Sequence, residues 1–154
     1  MAKEQEAKMI EFVATCDDPA KLRNIANNAK RAGANDLFDA AKRRLFAVLP
    51  SEEPGTLEYE VWQSIYALEH TLKEERGKTV LLSRTRQKIK SHGEHRCVAD
   101  LVCGKQSEGF DMLLDRAMLD LSFEAVALRF AGDFSPEVLD AARARLDGVG
   151  YQVA

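Results

Sequence analysis

Start and stop signals for helices recur along this chain more densely than any other local feature, and they leave little choice of fold class. Asp17-Asp18-Pro19 reads as a helix start. An aspartate side chain accepts from the free N–H groups of a first turn, and proline there removes a donor that no helical carbonyl would meet. Leu22, Ile25, Ala26 and Ala29 then recur on one face until Gly33, a residue suited to the left-handed position that closes a helix. Asn35 is placed to cap a third helix with the apolar stripe Leu37, Phe38, Ala41, Leu45 and Leu49. Thr56 is placed to cap the longest one, which carries Val61, Ile65, Leu68 and Leu72, flanked by Trp62 and Tyr66, as far as a stop at Gly77. Ser135-Pro136-Glu137 joins cap, first-turn proline and first-turn acid ahead of Val138, Leu139, Ala142 and Leu146.

Weaker signals fill the gaps. Met9, Ile10 and Val13 place a helix over about 3–14, and further helices are expected over 79–92, 95–103, 108–117 and 122–131. Val80-Leu81-Leu82 and Tyr151-Gln152-Val153 are the only strand-like runs, and both are too short to build a sheet. The expectation is an all-α helical bundle. Pro50-Ser-Glu-Glu-Pro-Gly55 is the clearest break, so residues 1–50 read as an N-terminal helical hairpin unit and 56–154 as a C-terminal multi-helix bundle, or as parts of one continuous domain. A single hairpin is no solenoid, which needs at least three repeats.

A chain of 154 residues buries roughly 70% of its unfolded surface, enough for a core without disulfide or metal. With 45% hydrophobic and 31% charged residues it is a folding composition, not a disordered one. Uncharged runs fall short of a membrane span, and Lys3, Glu4, Glu6 and Lys8 interrupt the first segment where a signal peptide would be apolar. These features predict a cytoplasmic protein with no membrane partner. Three cysteines, an odd number in no framework spacing, fit a reducing compartment.

Catalytic patterns are missing. No Gly-rich phosphate loop, nucleophile elbow or H-E-x-x-H occurs, and Asp111 with Asp115 is one helical carboxylate pair without a third ligand. His92, His95, Cys97 and Cys103 spell H-x2-H-x-C-x5-C, a spacing that matches no common zinc site. The reading assigns no catalytic residue, no metal ligand and no cofactor. His70 reads as a packed or surface histidine. Trp62, Tyr66, Phe110, Phe123, Phe130 and Phe134 read as core of the C-terminal unit, with Phe110 and Phe134 as packing staples at helix starts.

Charge distribution supplies the one functional signal. Residues 76–96 hold seven bases (Arg76, Lys78, Arg84, Arg86, Lys88, Lys90 and Arg96) against Glu94 alone, a net charge of +6 inside a chain of −3. Arg84 with Lys88 and Arg86 with Lys90 are like-charge pairs at i,i+4, each destabilising by roughly 0.2–0.5 kcal/mol unless an anion faces it. A helix of this kind suits a phosphate backbone, with Arg84, Arg86, Lys88 and Lys90 positioning DNA or RNA and Gln87 able to read a base edge. Arg23, Lys30, Arg31, Lys42, Arg43 and Arg44 on the N-terminal hairpin are placed to extend such a footprint. Two other readings stand beside it. The bases can be solvated or paired internally with Glu69, Glu74 and Glu75 of the preceding helix, or they can meet an acidic protein surface, including a homodimer partner. A sequence pI of 5.7 counts against strong nonspecific nucleic-acid binding.

From about Leu57 to Leu146, Ser83-Arg84-Thr85-Arg86-Gln87-Lys88-Ile89-Lys90, Glu108-Gly109-Phe110 and Phe123-Glu124-Ala125-Val126 resemble a family of bacterial all-helical proteins of unknown function. The resemblance implies a bacterial source and a module boundary near Pro54. It implies no activity and no functional residue.

Overall fold

The structure, a computed structural model that describes residues 2–153, is all-α, with nine α-helices and two short 3-10 turns among the described residues. Met1 and Ala154, the outer ends of the two expected units, lie outside the described residues. The chain divides into two compact units, one ending at Ser51 and the other beginning at Glu52.

The first unit holds α1 (Lys3–Thr15), α2 (Pro19–Ala32) and α3 (Asn35–Val48). Asp18 caps α2 as its sequence predicts, its carboxylate accepting from the N–H groups of Ala20 and Lys21. Gly33 closes that helix at φ 70°, and the Ala34 N–H reaches back to the Ala29 carbonyl at 2.9 Å, the bond pattern of a left-handed helix stop. α2 and α3 pack through Leu22, Ala26 and Ala29 against Leu37, Ala41 and Leu45, and α1 adds Val13. Asn35 does not cap α3. It is the first helical residue, Ala34 stands at the cap with no side-chain bond, and the Leu37 N–H donates instead to Glu6 Oε1 of α1 at 3.2 Å. A carboxylate from another helix supplies the acceptor that the local sequence was expected to supply.

The second unit is built on α4 (Leu57–Arg76), capped by the Thr56 hydroxyl, which accepts from the Tyr59 N–H. It is followed by α5 (Ser83–His92), α6 (Glu94–Cys103), α7 (Glu108–Asp115), α8 (Phe123–Arg129) and α9 (Pro136–Gly148). Ser107, Ser122 and Ser135 cap α7, α8 and α9. In α8 every residue from Phe123 to Ala127 is buried, as a helix surrounded by others requires. Around it, Val61 and Ile65 of α4, Cys97, Val98 and Val102 of α6 and Val138 and Ala142 of α9 form one apolar cluster.

Two sequence expectations change in this unit. The helix expected over 79–92 starts only at Ser83. The chain leaves α4 through left-handed Gly77 (φ 71°), and the Leu82 N–H donates to Glu69 Oε2 of α4 at 2.9 Å, which fixes residue 82 outside the helix. As expected, Val80-Leu81-Leu82 and Tyr151-Gln152-Val153 form no strand. Of the six aromatics assigned to the core, Phe110 and Phe123 are buried; Trp62, Phe130 and Phe134 are half-buried and pack against the core cluster, and Tyr66 is half-buried outside it. No described helix is long and apolar enough to cross a membrane.

Candidate nucleic-acid interface

α5 touches its unit along one edge, through buried Ile89 and half-buried Thr85 and Arg86. The remaining side chains follow from helical geometry: Arg84, Gln87, Lys88 and Ser91 recur at steps of three and four on the opposite side, with Lys90 beside them. Arg84, Gln87, Lys90, Ser91 and His92 are exposed. Arg84, Gln87, Lys88, Ser91 and His92, together with Thr85 and with Leu101 of α6, line a shallow depression of about 420 Å³.

The five residues that the charge pattern singles out meet different surroundings. Arg86 is bound to its own unit. Its Nε and Nη2 donate to the two oxygens of Glu69 at 2.7 and 2.6 Å, and its guanidinium lies 5.1 Å from the ring centre of Trp62 and 5.8 Å from that of Tyr66. The hydrogen bond to Glu69 raises its pKa above the usual arginine value, against the opposing effect of burial. The half-buried Trp62 and Tyr66 therefore serve as a stacking platform for Arg86. Lys88 makes a 2.8 Å ion pair with Asp100 of α6, which also accepts from Arg96 at 3.1 Å. The Lys88 and Arg96 bonds hold the Asp100 carboxyl below the ordinary aspartate range. Gln87 Nε2 donates to Ser91 Oγ at 3.1 Å, a bond open to water.

Arg84 and Lys90 differ from these, because among the described residues neither meets an acid. Of the three acids expected to pair with this helix, Glu69 binds Arg86; Glu75 binds Arg116, the residue that follows α7, at 2.9 Å, and Glu74 stands 3.1 Å from His70 within α4. In the first unit the basic set is largely engaged. Arg44 binds Asp17 and the Cys16 carbonyl, Arg43 pairs with Asp39, and buried Lys42 lies 4.3 Å from the Phe38 ring centre.

The mixed histidine and cysteine set does not converge. Cys97 is buried in the core, where burial pushes its thiol up to about 11, while Cys103, His92 and His95 are exposed. Among the described residues no group of three or more His, Cys, Asp or Glu side chains is arranged to hold a metal ion. Asp111 and Asp115 are both exposed on α7, and Asp111 accepts from Gln106 at 2.6 Å. Sequence reasoning missed the division of labour within α5. The available signal was helical spacing: two residues separate Arg84 from Arg86, about 200° around the axis, so the two cannot face the same surroundings.

Compared with known proteins, the chain matches no family model, and no curated protein and no solved structure gives a significant match to it.

Proposed function

We propose that the protein is a non-enzymatic, regulatory accessory protein that binds nucleic acid through the outer side of α5. One observation carries the reading: Arg84 and Lys90 bear charge that no acid among the described residues neutralises, on a helix whose Arg84, Gln87 and Lys88 line one open depression. Cations without internal partners, beside an exposed amide, match a phosphate backbone with a base edge in reach. Arg84 and Lys90 position phosphates, Lys88 does so in exchange with Asp100, and Gln87 can turn from Ser91 to a base. Arg86 leaves the set, because pulling it from Glu69 would strand a nearly buried carboxylate.

The test is binding of short duplex and single-stranded oligonucleotides across a salt series. With three or four phosphate contacts, log K should fall against log salt with a slope of about −3 on duplex. Replacing Arg84 and Lys90 by Glu should reduce that slope by about 2 and abolish binding near physiological salt. An absence of binding even at low salt would overturn the reading.

A second reading, an acidic protein segment on the same face, is favoured by Leu101, which is 37% exposed and lies in the wall of the depression beside the cations. An apolar anchor inside a basic rim is what such a segment would use. Binding of an acidic, leucine-containing peptide with no oligonucleotide binding would select it.

A further inference from the structure

A second concavity lies against the inner edge of α5, sharing only Thr85 and Leu101 with the depression on its charged side. It is a partly enclosed cavity of about 150 Å³, walled mainly by Leu68, Leu82, Leu113, Phe110 and Phe123. A cavity of about this volume with apolar walls admits one benzene-sized ring.

Of its polar wall groups, Thr85 is half-buried and Lys105 exposed, and the others sort by the partners they already have. Ser107 Oγ accepts from the Phe110 N–H at 3.1 Å, and Ser122 Oγ both donates to the Leu119 carbonyl (2.7 Å) and accepts from the Ala125 N–H (3.1 Å). Glu124, 5% exposed, is neutralised by Arg145 at 2.7 Å. Ser64 stands apart. It is completely buried on α4, and its hydroxyl has no hydrogen-bond partner among the described residues. A buried hydroxyl without a partner costs about 1–3 kcal/mol, so it calls for an explanation in what the site receives. The mainly apolar wall disfavours a charged ligand, which would lose its hydration there.

From the cavity and the hydroxyl together we infer that this unit binds a small neutral molecule, ring-sized or branched, carrying a single hydroxyl: a phenol or short alcohol. The apolar body fills the space between α4, α7 and α8, and the ligand's hydroxyl pairs with Ser64. Leu82 and Thr85 in the wall belong to the segment that starts α5, so occupancy is felt at the base of that helix.

The experiment titrates the full chain with phenol and with toluene, which shares its ring but lacks the hydroxyl, following amide and methyl NMR shifts. Saturable shifts at Ser64, Leu68, Leu113 and Phe123, with phenol binding about fivefold more tightly than toluene, are expected. Ser64→Ala keeps helix propensity and removes the unpaired hydroxyl, so it folds; it should bring phenol down to the affinity of toluene. Leu68→Phe should weaken both by filling the space. Shifts that do not saturate, shifts elsewhere on the surface, or a Ser64→Ala variant that still prefers phenol would each overturn the inference. The Arg84→Glu/Lys90→Glu variant should bind phenol like the wild type, which separates this site from the charged side.

Discussion

Arg84 and Arg86 are the same residue type two positions apart, yet one side of α5 is tied to the fold and the other is not. On the inner side Arg86 shares Glu69 with the Leu82 N–H, so a single carboxylate sets both the arginine and the first residue of the helix. On the outer side Arg84 has water and a shallow depression. The difference teaches that a cluster of bases in a sequence is two populations. Those facing a neighbouring helix become structure, and only those facing away remain available to a partner.

The contrast repeats on α6, where the largest effect is expected. At pH 8, exposed Cys103 should react with a thiol reagent at least about 100-fold faster than Cys97, which is buried and held protonated. Mass spectrometry of partially labelled native protein reads this directly. Equal labelling would mean that α6 opens readily. Because the Cys97 thiol is raised from 9.0 to about 11, the stability linked to it is fully present below pH 9 and declines as pH rises toward 11.

Next in size is the stability contrast on α5 itself. Arg86→Ala should cost about 2 kcal/mol in urea unfolding, less than the 3–5 kcal/mol of a fully buried pair because the Arg86 side chain is 31% exposed. Arg84→Ala should stay within about 0.5 kcal/mol. Similar costs for the two would erase the distinction between the sides. Glu69→Gln sharpens it further. The amide oxygen can still accept from Leu82 while the charge is lost, so a cost of about 1 kcal/mol is expected, below that of Arg86→Ala.

The smallest effect concerns Lys88, which belongs partly to both sides. Asp100 should titrate below its ordinary value of 3.8 in a carboxyl-detected NMR titration, and Lys88→Ala should move it upward. Its folded pKa is depressed, so its contribution to stability is present above pH 3.8 and fades as pH falls through the folded value. An unmoved Asp100 in that variant would show that Lys88 is as free as Arg84.

Legibility in the sequence followed the range of the interaction. Asp18, Thr56 and Ser135 cap their helices as their sequence contexts predict, because each cap bonds to N–H groups two or three residues away. Asn35 misled for the opposite reason: its helix takes its acceptor from Glu6, 31 residues before Leu37. The start of α5 was misplaced by the same mechanism, through Glu69 acting 13 residues away on Leu82. Trp62 and Tyr66 lie at helical spacing within a buried stripe, so their use as a platform for Arg86 had no local sign.

The sequence by itself determined the all-α class, most helix starts and stops, and the concentration of positive charge at 76–96. All of these are set by neighbours within a turn or by composition. Only the tertiary structure decided which of those charges stay unpaired, where Cys97 and Cys103 stand relative to solvent, and that Ser64 lines a cavity with its hydroxyl unpartnered. Each of these depends on which helix packs opposite, and side chains dozens of residues apart meet only once the bundle has closed.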